Sequence, residues 1–98
     1  AYRQRGLVHA RKGAFDQAIA DYDAALHHDP EAVMIAYDRA NAYFRLQAYE
    51  RAVDDYTLTL RHAPDHLEAY LNRGLAQAAR GGLAGPGVAG PLAGGGQL

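Results

Sequence analysis

"AIADYDAALHHDP" at residues 18–30 and "AVDDYTLTLRHAP" at residues 52–64 are two versions of one line. They agree at Ala18 and Ala52, Asp21 and Asp55, Tyr22 and Tyr56, Leu26 and Leu60, His28 and His62, and Pro30 and Pro64, always 34 residues apart. The same offset aligns Arg5 with Arg39 and Arg73, Gly6 with Ala40 and Gly74, Phe15 with Tyr49, and Asp16 with Glu50. A fixed period of this length marks a repeat architecture, in which each unit has an apolar face that only a neighbouring unit covers. The third copy stops after "LEAYLNRGLAQAAR", residues 67–80, so the chain holds about two and a half units.

Within a unit, residues recur at helical rather than strand spacing. Tyr2, Gly6 and His9 form one stripe over residues 1–12, and Ala18, Tyr22, Ala25 and Leu26 fall at i, i+4, i+7 and i+8 over residues 15–28, which is one buried face of a helix. Gly13 suits the end of the first helix, because a residue without Cβ enters the left-handed region at little cost. Asp29-Pro30 closes the second, since proline lacks the N–H a helix needs and restricts the residue before it. The next unit predicts helices over 33–46 and 49–62, broken near Gln47-Ala48, and the third a single helix over 67–80. Five helices of about 14 residues would each be about 21 Å long.

These residues resemble the tetratricopeptide repeat. The likeness rests on Tyr2, Gly6, Gly13, Phe15, Ala18, Tyr22, Ala25 and Pro30, then Ala40, Tyr43, Tyr49, Ala52, Tyr56 and Pro64, then Tyr70 and Gly74. It departs where no tryptophan is present, where Thr59 replaces a usual alanine, and where Arg5, Arg39 and Arg73 hold a slot often given to leucine. The resemblance implies an all-α fold, a right-handed superhelical stack of antiparallel helix pairs with units 1–32, 33–66 and a partial 67–80. It further implies a concave wall built by the first helix of each pair, where a peptide or partner helix is held. Carried over by register, that wall is Arg3, Leu7, Ala10 and Arg11, then Met34, Tyr37, Asn41, Phe44 and Arg45, then Glu68, Leu71, Leu75 and Ala78. An exposed Met, Tyr, Phe and Leu surface rimmed by arginine has the makeup of a protein-binding site. The alternative is that Met34, Tyr37 and Leu71 are core residues or lie under a further unit. A clamp for an acidic C-terminus, which some members of the family carry, is not expected: beside Arg3, the other positions hold Leu7, Asp38, Glu68 and Asn72, and two acids repel such a tail.

Composition excludes several functions. The 98 residues carry a formal charge of −1, so no basic field exists to hold a nucleic acid backbone. No run approaches the roughly 20 apolar residues of a membrane helix, so a soluble protein is the expectation; the sequence leaves its compartment open, with the cytoplasm only weakly favoured. Cysteine and serine are absent and Lys12 is the only lysine, which leaves almost no nucleophile for covalent catalysis; no enzyme and no cofactor are expected. His62 and His66 lie at i, i+4, but Pro64 between them breaks the helix that would aim both rings at one metal ion. The periodic Arg5, Arg39 and Arg73 have two readings, a rail for an acidic ligand or ion-pair partners for the equally periodic Asp21 and Asp55 on the neighbouring helix. The second is preferred, as charge pairs repeated in register usually satisfy local structure.

Residues 81–98, "GGLAGPGVAGPLAGGGQL", hold eight of the 11 glycines and no charge. Glycine and proline oppose helix formation, so a flexible tail is expected in place of the second helix of the third unit. The helix over 67–80 then ends the stack, yet keeps Tyr70, Leu71 and Leu75 rather than the polar outer face of a cap. This raises the alternative function of a self-assembling scaffold, a homo-oligomer joined through the last helix.

Overall fold

A computed structural model describes residues 2–81; the expected flexible tail lies outside the described residues apart from Gly81. Five helices follow one another: α1 Tyr2–Arg11, α2 Phe15–His28, α3 Val33–Arg45, α4 Tyr49–His62 and α5 Leu67–Arg80. α2, α4 and α5 have the predicted limits, and α3 stops one residue early because Leu46 already serves as its C-cap. Each helix packs against the next along the chain, and α1 also meets α3. Short turns between neighbours make α1/α2 and α3/α4 antiparallel pairs, with α5 laid over the second pair.

The turns are built alike. Gly13 after α1 has φ 80° and Gln47 after α3 has φ 63°, and these residues are one repeat length apart. Only the first is a glycine. A side chain with Cβ held in the left-handed region costs about 1–2 kcal/mol, partly offset by the greater entropy glycine loses on folding. Gln47→Gly is therefore expected to raise stability by about 0.5–1 kcal/mol, read as a higher urea midpoint with an unchanged m-value. An unchanged or lower midpoint would show that Gln47 gains more from its side chain than it loses to backbone strain.

Small residues let the helices approach. A Cβ on Gly6 would stand 2.6 Å from Cε1 of Tyr22, so only glycine allows that ring to lie flat on α1. Ala40 occupies the equivalent place in the second pair and is fully buried, as are Ala18 and Ala52. Two apolar clusters result. Ala18, Tyr22, Ala25, Ile35 and Ala42 fill the junction of the first pair with α3; Tyr37, Ala40, Phe44, Ala52, Tyr56, Leu60, Ala69 and Ala76 fill the junction of α3, α4 and α5.

The periodic arginines bind aspartates within the fold. Arg5 donates from Nε and Nη2 to both carboxylate oxygens of Asp21, at 2.7–3.1 Å. Arg39 makes the same two-pronged contact with Asp55 and extends Nη1 to Asp23 on α2. Arg73 departs from the pattern. Its Nη1 reaches the hydroxyl of Thr57, 3.3 Å away, because Thr57 stands one repeat after Asp23 and no helix with a repeat of Asp55 follows α5 among the described residues.

A candidate partner-binding groove

α1 and α3 lie side by side, and their facing turns leave a groove of about 280 Å³. Leu7, Ala10 and Arg11 form one wall, Asp38, Asn41 and Arg45 the other, and Phe15 and Tyr22 of α2 the floor. Five of the thirteen residues assigned to the wall, Leu7, Ala10, Arg11, Asn41 and Arg45, thus meet in one place. Arg3 stands at its edge, donating from Nε to Oδ2 of Asp38 at 3.0 Å. The Arg45 guanidinium lies over the Phe15 ring, 5.2 Å from its centre, in the geometry of a cation–π contact. The groove is therefore apolar at its base and mainly cationic at its rim.

The remaining predicted residues fall elsewhere. Tyr37 and Phe44 are each 5% exposed, so the expectation that they form an open aromatic wall is corrected: both belong to the core. Tyr37 is sealed because α5 crosses it, with its ring 4.6 Å from His66 and 5.9 Å from Tyr56. Phe44, in the last turn of α3, meets Tyr49 edge-on at 5.4 Å across the turn into α4. Met34 and Leu71 are exposed, and Leu75 packs half-buried against the second cluster; none of the three lines the groove. A wider hollow of about 550 Å³ opens between the α3–α4 turn and the end of α5, lined by residues such as Glu50, Arg51 and Arg80, and contains none of the predicted residues.

A polar network seals the other side of α3. Tyr56 on α4 donates its hydroxyl to Oδ1 of Asn41. Asn72 of α5, fully buried, donates to the hydroxyl of Tyr37 at 3.1 Å and to Asn41 at 3.4 Å. The sequence assigns Asn41 to the groove wall and weighs Asn72 only as a position of the acidic-tail clamp. The available signal was a recurrence: Gln4, Asp38 and Asn72 are spaced by the repeat, as are Arg3, Tyr37 and Leu71. Arg3 to Asp38 and Tyr37 to Asn72 are one contact made twice, between first helices of successive layers.

Asp38 is the groove residue least at ease. Its side chain is 11% exposed, and burial raises its pKa above the ordinary aspartate value even though Arg3 opposes the shift. A carboxyl with a raised folded pKa is favoured when protonated, so its ionised form weakens the fold once the pH exceeds the unfolded value. Asn72 proves that an amide fits this register. Asp38→Asn is accordingly expected to raise the urea midpoint at pH 7, with the gain shrinking toward pH 4 as Asp38 is protonated in both states. The Arg3 side chain left behind is 41% exposed and keeps its water, so the pair lost in the exchange contributes little. A midpoint that falls at pH 7 would mean the Arg3 contact outweighs the burial cost.

The described helices thus define a helical-repeat solenoid with an open groove between α1 and α3. The sequence profile of the tetratricopeptide repeat family matches residues 3–59 and again residues 37–85, and the chain belongs to that family. It is also 31% identical over 83 residues, 85% of its length, to RNA polymerase II-associated protein 3 of Xenopus laevis. The chain spans 13% of that relative. Repeats of this family are protein–protein interaction modules rather than catalysts, which agrees with the protein-partner class expected from the sequence. No described helix is long and apolar enough to cross a membrane.

Proposed function

We propose that this repeat domain binds a peptide or partner helix in the groove between α1 and α3. The observation that carries the reading is the convergence of Leu7, Arg11, Asn41 and Arg45, assigned by register, on one open groove. Leu7, Ala10 and the Phe15 ring offer an apolar socket for a side chain, and Arg11 and Arg45 favour an acidic or carbonyl-rich neighbour. Alanine at Tyr37 or Phe44 would test packing, since both are core. The informative variants are Leu7→Asp, which puts a charge into the socket, and the double change Arg11→Ala with Arg45→Ala, which strips the rim.

The experiment is a screen of an array of acidic-apolar peptides against the full chain, followed by titration of the strongest binders. Both variants are expected to weaken binding by about 10-fold or more; the arginine variant keeps the far-ultraviolet circular dichroism of the parent, which separates lost binding from the lost packing of Leu7 against the first cluster. Peptide affinities indifferent to both variants would remove the groove as the site.

A further inference from the structure

α5 repeats the sequence of α1 with unusual fidelity: Tyr2, Arg5, Gly6 and Leu7 recur as Tyr70, Arg73, Gly74 and Leu75. In α1 side chains of α2 reach this face and bury Gly6, although Tyr2 stays 39% exposed. Asp21 grips Arg5, the Tyr22 ring lies on Gly6, and His28 stacks on Tyr2 with ring centres 5.9 Å apart. Among the described residues nothing covers the Gly74 slot of the same face of α5. A Cβ built on Gly74 meets nothing within 4 Å, and Tyr70 is 48% exposed, whereas Ala36 at the same register in α3 is 1% exposed.

The face is also arranged as it is in α1. The Arg73 guanidinium lies over the Tyr70 ring at 5.4 Å, as Arg5 lies over Tyr2 at 5.5 Å. Arg39, in the middle layer, defines the full set of contacts: one acid from the second helix of the preceding pair, Asp23, and one from its own, Asp55. Arg73 has the counterpart of the first in Thr57. Among the described residues it lacks the second, and beside it the Gly74 slot lacks a tyrosine ring.

We propose that this face of α5, separate from the groove, docks a helix of another protein carrying Ala-x-x-Asp-Tyr, the pattern shared by Ala18 to Tyr22 and Ala52 to Tyr56. The aspartate takes the free edge of Arg73 in a charge-assisted bidentate contact, and the ring of the next residue settles on Gly74. Two other occupants fit poorly. Residues 82–98 contain neither an acidic nor an aromatic residue. A second copy meeting α5 against α5 about a two-fold axis would set Arg73 against its own equivalent, two like charges at the centre of the contact.

The test uses a labelled, helix-stapled peptide with the sequence of residues 15–28, titrated against the full chain by fluorescence anisotropy. Stapling is needed because a free peptide of this length is barely helical. Saturable binding is expected. Gly74→Leu, which fills the slot, and Arg73→Glu, which reverses the charge, are each expected to weaken it by about 10-fold or more, and so is the peptide altered by Asp21→Asn and Tyr22→Ala. Neither Arg73 nor Gly74 is itself buried, so both variants should stay folded, and Gly74→Leu should melt no lower than the parent because leucine favours a helix over glycine. Three results would overturn the proposal: no saturable binding at millimolar peptide, binding indifferent to both protein variants, or sedimentation of the chain alone as a dimer that Gly74→Leu dissolves. The last would assign the face to a second copy.

Discussion

Tyr56→Ala is expected to leave little or no folded protein at 37 °C. Tyr56 is fully buried where α3, α4 and α5 meet. Truncating a buried aromatic costs about 3–5 kcal/mol through lost transfer energy and the cavity left behind. A domain of about 80 residues has a total stability of only about 4–12 kcal/mol, so one substitution removes a large part of it. Tyr56→Phe separates packing from hydrogen bonding. It keeps the ring and removes the hydroxyl that Asn41 accepts from, a loss of about 1–2 kcal/mol because Asn41 retains Asn72 as a donor. Chemical denaturation of both variants checks the order. If Tyr56→Phe proved as damaging as Tyr56→Ala, the network rather than the packing would hold this junction. The same burial predicts an alkaline limit. Tyr22, Tyr37 and Tyr56 all have phenol pKa values raised chiefly by burial. In the unfolded chain these groups ionise near pH 10, while in the fold they resist. Their neutral forms therefore support the fold fully below about pH 10, and that support is lost as the pH rises further. A melting temperature that holds level from pH 10 to 12 would contradict this.

The 34-residue offset made the helices, their order and the ion pairs legible, because each depends on contacts within one unit. Ala18, Tyr22 and Gly6 announce a close helix crossing wherever they occur in this spacing, and Arg5 with Asp21 needs only two adjacent helices. Burial across layers was less legible. Arg3, Tyr37 and Leu71 hold one register, yet only Tyr37 is buried, since α5 crosses the middle layer while no described helix crosses the last. Assigning all first-helix positions to one open wall treated the layers as equivalent. Tyr37 departs from the open wall for that reason and Phe44 because the turn into α4 lays Tyr49 against it, while Asp38 and Asn72 read only as clamp positions because a polar residue facing the next layer looks, in one dimension, like any polar residue on a helix.

Arg39→Ala tests how far such equivalence extends to energy. Arg39 and Arg5 make nearly the same bidentate contact, with Asp55 and Asp21 respectively. Their surroundings differ. The Arg39 side chain is 22% exposed and that of Arg5 62%, because Arg39 is enclosed between α2 and α4, which supply Asp23 and Asp55. Removing Arg39 leaves the Asp55 carboxylate, 8% exposed, without its charged partner, and breaking a buried pair from one side costs about 3–5 kcal/mol. Partial access to water puts the expected loss near the lower end, about 3 kcal/mol. Arg5→Ala should cost distinctly less, since water reaches the contact. Salt provides a second axis. At 1 M NaCl the Debye length falls to about 3 Å, so the Arg5 effect should nearly vanish and most of the Arg39 effect should persist. The double variant Arg39→Met with Asp55→Leu, which replaces the pair by apolar groups of similar size, should recover most of the stability, because it leaves no charge stranded. Urea midpoints for the four proteins decide the matter. Equal losses for Arg5→Ala and Arg39→Ala at both salt concentrations would mean that the pairs act through local helix contacts alone, and that stacking of the units adds nothing to their strength.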